Sequence, residues 1–307
     1  MLRKRELHAL VLAGGFGRRL EPFTRRLFGE TVPKQFCRFA SHRSLLQQTV
    51  ERTAPLVPHA RMTVVVDRSQ TERARAQLEG FRGIALVDQP CDRGTAAGVL
   101  LPLLDLFVRA PDAIVLLAAS DHGVADDAAF LATVAAARRA VEADRDAIVL
   151  VGAEPDSPNT DYGWIVRDGA ADGLTTPDRV VRFVEKPDPR CAEELFASRR
   201  SVWNTMVLVA HVRALWRCFA RRVPTLARDM LCLLARGGNA ASISVEEYAR
   251  LDVANFSADV IGASSGLHVL TLPAAAGWTD LGTELRLTEW LARQRSRPPS
   301  SPLGEAG

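Results

Sequence analysis

A short apolar run that ends in a glycine-rich loop constrains this chain more than any other feature. Leu7 to Leu12 reads as a buried strand, and Ala13-Gly14-Gly15-Phe16-Gly17-Arg18-Arg19-Leu20-Glu21-Pro22 follows directly. Glycines let the backbone turn sharply and let its N–H groups approach a ligand with no Cβ in the way. Arg19 and then Lys34, in Pro33-Lys34-Gln35-Phe36, add positive charge nearby, a combination suited to a polyphosphate. The loop is not a Walker A loop, because no Gly-Lys-Ser/Thr follows. It is not a dinucleotide fingerprint either: Leu20 stands where the third glycine would be, and no acid lies at the required distance beyond, which argues against an NAD-binding dehydrogenase. Of 39 Lys+Arg residues only Lys4, Lys34 and Lys186 are lysine. A compact ammonium is not interchangeable with a guanidinium, so the two lysines in motif-like settings, Lys34 and Lys186, become candidates.

Apolar, β-branched runs recur at Met62 to Val66, Ile84 to Val87, Ala113 to Ala119 and Ala147 to Gly152. Helical stretches at Ser44 to Thr53, Gln70 to Leu78, Thr95 to Val108 and Ala128 to Val141 separate them. The alternation predicts an α/β fold with a Rossmann-like, mostly parallel mixed sheet and helices on both faces. Ligands of such sheets bind at the carboxyl ends of the strands, where the glycine loop, Gln89 and Asp121 should converge. Further strands are expected at Trp164 to Arg167, Val180 to Glu185, Val207 to Ala210 and Leu267 to Leu272, and helix over Leu215 to Leu234, interrupted at Pro224. Residues 281 to 294 read as a closing helix. The expected organisation is one domain over 1–294, in two parts at about 7–125 and about 126–294, and a disordered tail at 295–307.

The net charge of +3 gives nucleic-acid binding no support. Five well-separated cysteines with no Cys-x-x-Cys read as reduced thiols of a cytoplasmic protein. No stretch reads as a signal peptide or a membrane span. Oligomeric state stays open, a homo-oligomer included.

Six further segments, in order, resemble the motifs of the sugar-1-phosphate nucleotidyltransferases, and Pro33-Lys34-Gln35-Phe36 resembles the mannose-1-phosphate guanylyltransferase branch. Gln89-Pro90-Cys91-Asp92-Arg93-Gly94-Thr95 is similar to the second nucleotide segment, and Ser120-Asp121-His122 to the metal-binding Ala-Asp-His. Thr160-Asp161-Tyr162-Gly163-Trp164-Ile165 resembles Thr-Gly-Tyr-Gly-Tyr-Ile, and Phe183-Val184-Glu185-Lys186-Pro187 matches the sugar-phosphate motif. Trp203-Asn204-Thr205 and Gly277-Trp278-Thr279-Asp280-Leu281-Gly282 complete the set. The chain lacks the hexapeptide repeat that builds a C-terminal β-helix in some longer relatives.

The resemblance implies transfer from a nucleoside triphosphate to a hexose-1-phosphate, giving a nucleotide-sugar and pyrophosphate, with GTP and mannose-1-phosphate the first expectation. The attacking phosphate is already ionised, so positioning and charge neutralisation suffice. Leu12, Ala13, Gly14, Gly15, Gly17, Arg19, Lys34, Gln89, Gly94 and Thr95 are the expected nucleotide-binding residues. Asp121 and Asp280 are the expected ligands of Mg2+, which favours a few carboxylates and retained water. Tyr162, Gly163, Glu185, Lys186 and Asn204 are expected at the sugar phosphate. Arg19, Lys34, Asp121, Lys186 and Asp280 form the catalytic set. Among the tryptophans, Trp164 is expected to border the sugar, whereas His122 is expected to be structural. Gln89 and Gly94 stand where many guanylyltransferases carry Glu and Asn, which leaves dTTP or UTP with glucose-1-phosphate open. Asp161 and Met206 each replace a glycine of the pattern. A catalytically silent regulatory or binding relative is opposed by the joint presence of both lysines and both aspartates.

Overall fold

The computed structural model describes residues 5–39, 41–169 and 173–295. The part of the expected tail beyond Arg295 lies outside these residues.

Among the described residues nine strands form one mixed sheet: β1 (Leu7–Leu12), β2 (Met62–Asp67), β3 (Ala85–Gln89), β4 (Ile114–Ala119), β5 (Ile148–Ala153), β6 (Gly163–Arg167), β7 (Asp178–Glu185), β8 (Ser201–His211) and β9 (Leu267–Leu272). Their order is β3-β2-β1-β4-β8-β5-β9-β7-β6, with a further pairing of β8 to β6. The first four strands are all parallel; β1, β2 and β4 lie on near-continuous apolar runs of the kind that a sheet covered on both faces buries, and β3, at the edge, is only partly buried. β8 runs antiparallel to β4, β5 and β6 and so joins that parallel half to the more irregular second half. A register shift interrupts its pairing with β5 at Val151/Gly152, where Met206 takes a left-handed φ of 57°.

Two cores flank the sheet. The alternation along β1 sends Leu10 to one and Leu7, Ala9 and Val11 to the other. The first core is roofed by α4 (Gly94–Arg109), α7 (Val212–Arg222) and α8 (Pro224–Gly237), the second by α2 (Leu45–Thr53) and α5 (Asp127–Ala143). In the chain, α3 (Thr71–Leu78) links β2 to β3, and the short α9 (Val245–Tyr248) falls between α8 and β9. Helix starts are capped as their sequences dictate: Ser44 and Gln47 form a capping box on α2, and the Asp126 carboxylate accepts from the Ala128 and Ala129 N–H groups of α5. Three α-helices arise among the described residues where none was expected: α1 (Glu21–Phe28), α6 (Pro189–Ala197) and the four-residue α9. The closing helix α10 spans Glu284–Arg295, so Arg295 ends a helix rather than opening a tail. No helix among the described residues is long and apolar enough to cross a membrane.

Candidate functional site

The chain order β1, β2, β3, β4 places β2 and β3 on one side of β1 and β4 on the other. The connection therefore reverses beside β1, and a crevice opens past its carboxyl end. The glycine loop leaves β1 there. The Ala13 N–H donates to the Val65 carbonyl (2.7 Å) and the Ser120 hydroxyl, at the end of β4, donates to the Leu12 carbonyl (2.7 Å). Gln35 explains its motif: it is buried, and its Nε2 donates to the Ala13 carbonyl (2.8 Å) and the Gly15 carbonyl (2.7 Å), fixing the loop from below. Gly17 makes the turn at a left-handed φ of 64°, against Lys34.

A cavity of about 370 Å³ lies over this loop, and Leu12, Gly14, Gly15, Gln89, Gly94 and Thr95 all line it. The Gln89 amide sits between two glycines: an added Cβ on Gly14 would lie 3.0 Å, and one on Gly98 2.9 Å, from Gln89 Nε2. The far wall, Val253 to Asn255, was not anticipated from sequence. Gly94 and Thr95 hold it. A Cβ on Gly94 would strike the Ala254 carbonyl at 2.5 Å, and the Thr95 hydroxyl accepts from the Phe256 N–H (2.8 Å). Thr95 and Gly94 thus act on the wall of the cavity as well as on its lining.

Asp121 and Asp280, far apart in the chain, are drawn together by a two-residue antiparallel bridge. Gly123 and Thr279 exchange backbone hydrogen bonds of 2.8 and 3.0 Å. Lys34 is buried between the two segments. Its Nζ donates to the Asp280 carbonyl oxygen (2.6 Å) and pairs with Asp121 Oδ2 at 3.0 Å. Burial pushes the Asp121 carboxyl up, but the Lys34 ammonium and then His122 outweigh it and hold the group below its usual range. Asp280 is lowered in the same way, with Lys34, Arg286, His122 and the Gly282 N–H overcoming burial.

Arg286, on α10, is a site residue that sequence reasoning missed. Its Nη1 lies 3.0 and 3.2 Å from the two Asp280 carboxylate oxygens, and its Nη2 3.0 Å from Asp161 Oδ2. Arg19 joins from the glycine-loop side, 3.4 Å from Asp161 and 3.9 Å from Asp280. The Tyr162 hydroxyl donates to Asp280 Oδ1 (2.9 Å). His122 lies 3.4 Å from Asp121 Oδ1 and edge-on to Trp278; burial lowers its pKa, against the pull of Asp121 and Asp280.

The expected sugar-phosphate residues divide between two faces of the β6–β8 ladder, as the two-residue period of a strand requires. Gly163, Glu185 and Asn204 share one face. A Cβ on Gly163 would lie 2.7 Å from Glu185 Oε2 and 3.4 Å from Asn204 Cβ, so a side chain there would push that carboxylate aside. Burial raises the Glu185 pKa, against the pull of Lys186. Asn204 donates to the Ser257 hydroxyl at 3.2 Å. Lys186 follows in a left-handed turn (φ 46°), exposed, its N–H bound to the Tyr162 carbonyl (3.2 Å). Tyr162 turns to the other face, stacking with Trp203 and Trp278 along a second cavity of about 500 Å³. Trp164 borders no sugar: it is fully buried and its indole N–H donates to the Asn159 carbonyl (2.8 Å).

Among the described residues no group of three or more His, Cys, Asp or Glu side chains is gathered to hold a metal. Two aspartates on segments tied together by one backbone bridge do suit a hard cation that takes its other ligands from water and substrate phosphates.

Comparison with known proteins agrees with this geometry. The nucleotidyl transferase family profile matches residues 8–295. The xanthan biosynthesis protein XanB of Xanthomonas campestris is 32% identical over 282 residues, covering 89% of this chain and 57% of XanB. A mannose-1-phosphate guanylyltransferase of Klebsiella pneumoniae is 28% identical over 284 residues, covering 91% of this chain and 59% of that protein. The chain thus spans less than two thirds of the length of these curated relatives. Among solved structures, a Thermus thermophilus protein described as a mannose-1-phosphate geranyltransferase superposes with a TM-score of 0.77 at 30% identity, covering 96% of this chain and 81% of that one. A putative glucose-1-phosphate thymidylyltransferase of Bacillus anthracis shares the fold, with a TM-score of 0.59 at 15% identity over 96% of this chain and 98% of that one. With a profile match over almost its whole length, this chain belongs to the nucleotidyl transferase family.

Proposed function

We propose that the chain transfers a nucleotidyl group from a nucleoside triphosphate to a hexose-1-phosphate. A phosphate oxygen of the sugar phosphate attacks the α-phosphorus, the bond from that phosphorus to the bridging oxygen breaks, and pyrophosphate leaves with the electron pair. The observation that carries the reading is the Gly123–Thr279 bridge, which sets Asp121 and Asp280 beside the glycine loop with Lys34 between them. The N–H groups of the glycine loop, with Arg19 and Lys34, receive the triphosphate and stabilise the leaving charge. Lys186 binds the attacking phosphate, and Glu185, Gly163 and Asn204 hold the hexose. Asp121 and Asp280 are the carboxylates for Mg2+, which when bound supplies charge neutralisation across the phosphate oxygens. No general base is required, since the nucleophile is ionised at neutral pH.

GTP and mannose-1-phosphate are the substrates this reading favours, because the relatives named mannose-1-phosphate guanylyltransferase match over nine tenths of the chain. Gln89 in the base cavity keeps a pyrimidine triphosphate with glucose-1-phosphate as the second reading. Five unpaired cysteines, Cys37 buried with its thiol pushed up to about 12 by burial, suit a reducing cytoplasm. Pyrophosphate release, measured over a matrix of GTP, dTTP and UTP against mannose- and glucose-1-phosphate with Mg2+, tests the proposal. One preferred pair supports it, GTP with mannose-1-phosphate being expected. Release with none of the pairs refutes it.

A further inference from the structure

The charges around Asp280 cancel within the protein. Three carboxylates, Asp121, Asp161 and Asp280, meet three cations: Arg19 and Arg286 each contact Asp161 and Asp280, and Lys34 pairs with Asp121 and joins the set through the Asp280 backbone carbonyl. Asp280 is the most heavily engaged. Its Oδ1 accepts from the Tyr162 hydroxyl, the Gly282 N–H and Arg286, and its Oδ2 also lies within 3.2 Å of Arg286. A second cation approaching this carboxylate meets a guanidinium already there. The same guanidinium has a second seat. Its other terminal nitrogen is bound to Asp161, and it lies over the Tyr162 ring, 4.5 Å from the centroid. The planar fork can give up one carboxylate and keep the other without leaving its platform. Asp161 stands where the resembled motif has a glycine, which offers no such seat.

We propose that Arg286 is a resident counter-cation of Asp280, surrendering it to a divalent cation that arrives with the triphosphate and staying anchored on Asp161. Bare metal then binds weakly, because it must displace Arg286 Nη1 from both oxygens of Asp280 in an electrically balanced site. The triphosphate shifts that balance by drawing Arg19 and Lys34 to its own oxygens. Arg286 is a positioning residue in this scheme. The inference rests on the assignment of Asp280 as a metal carboxylate.

The test is binding of Mn2+ alone to the nucleotide-free protein, read as loss of the free-ion electron paramagnetic resonance signal. Removing a cation in hydrogen-bond contact shifts a carboxylate equilibrium by about tenfold or more, so Arg286→Gln should tighten Mn2+ binding by about that factor. Arg286→Lys keeps the charge but cannot bridge both carboxylates, and should tighten binding less; it also guards against a Gln variant that fails to fold. Asp280→Asn should abolish the high-affinity component. Unchanged or weaker binding in both Arg286 variants, with Asp280→Asn still lowering it, overturns the counter-cation role and leaves the metal assignment standing. No effect of Asp280→Asn removes the metal assignment, and the proposal with it.

Discussion

The Gln35→Leu substitution isolates the contribution of one buried amide to the nucleotide loop. Leucine keeps nearly the same size, so the change removes hydrogen bonds rather than volume. The two hydrogens of Gln35 Nε2 are shared among the Ala13 and Gly15 carbonyls, at 2.8 and 2.7 Å, and Gln70 Oε1, at 3.0 Å, and the variant leaves all three without this donor. Each lost bond is worth about 1 kcal/mol net, and the buried Ala13 carbonyl adds a desolvation penalty of about 1–3 kcal/mol. Part of this is offset, because the buried Gln35 Oε1 has no partner and its removal relieves the protein. The balance is a destabilisation of about 2–3 kcal/mol. With an unfolding entropy of about 2.1 cal/mol/K per residue over some 300 residues, that corresponds to a fall in Tm of about 3–5 °C. Differential scanning calorimetry measures it, and steady-state kinetics should show a raised KM for the triphosphate with a smaller change in KM for the sugar phosphate. A Tm within about 1 °C of the parent, with an unchanged triphosphate KM, would refute the role of Gln35 in holding the loop.

Asp121→Asn and Asp280→Asn should each lower turnover by at least about a hundredfold, from loss of positioned charge at the phosphates, with circular dichroism unchanged; near-normal turnover in either variant, or full activity in excess chelator, contradicts the site. Lys186→Ala should raise KM mainly for the sugar phosphate and Lys34→Ala mainly impair use of the triphosphate, each by about 1.5–3 kcal/mol in kcat/KM; equal effects of both changes on both substrates contradict separate roles. Because Asp121 and Asp280 titrate below the unfolded value of 3.8, the stability they contribute is present above that pH and is lost as pH falls through their folded values. Urea unfolding below about pH 4 should therefore show a steep loss that Asp121→Asn flattens, and an unaltered acid limb would argue against the Lys34–Asp121 pair. Gln89→Glu should shift the triphosphate preference toward guanine, whose N1–H and N2–H are donors, and an unchanged GTP/UTP ratio of kcat/KM removes Gln89 from the base edge.

The parallel half of the fold was legible because β1, β2 and β4 are mostly apolar runs, the pattern of a strand buried on both faces, while β3, only partly buried, shows the shorter run Leu86-Val87 before Asp88 and Gln89. β8 was read only from Val207 because Asn204, Thr205 and a left-handed Met206 break the apolar run; the strand begins at Ser201 and carries a bulge there. α1 escaped notice because Glu21–Phe28 is only about two turns long and follows the glycine loop directly, so Phe23 and Leu27, one helical turn apart, form too short a stripe to register as a period. Tyr162 and Gly163 were grouped with one substrate, although adjacent strand residues face opposite ways; the two-residue period alone separates them. Arg286 carried no signal, being one of 36 arginines on a helix whose placement against Asp280 only the tertiary structure reveals.

The scarcity of lysine was informative, and the structure supplies the reason at Lys34. Its Nζ must reach a backbone carbonyl at 2.6 Å and a carboxylate at 3.0 Å from a side chain only 9% exposed. An ammonium offers three rotatable donors around a point charge, whereas a guanidinium is a broad plane with fixed donor directions. Arginine serves where a carboxylate can be met along its plane, as Arg286 meets Asp280 and Asp161. Between the Asp121 and Asp280 segments Lys34 instead meets one backbone carbonyl and one carboxylate oxygen. The two kinds of cation therefore divide the site by shape: lysine ties the Asp121 and Asp280 segments together from within, and arginine grips the Asp280 and Asp161 carboxylates from the rim. Lys34→Arg should for this reason fail where a charge-conserving change would otherwise succeed, leaving Asp121 poorly paired and activity reduced about as far as in Lys34→Ala. Recovery of most of the parental kcat/KM by Lys34→Arg would show that charge alone, without its compactness, accounts for this residue.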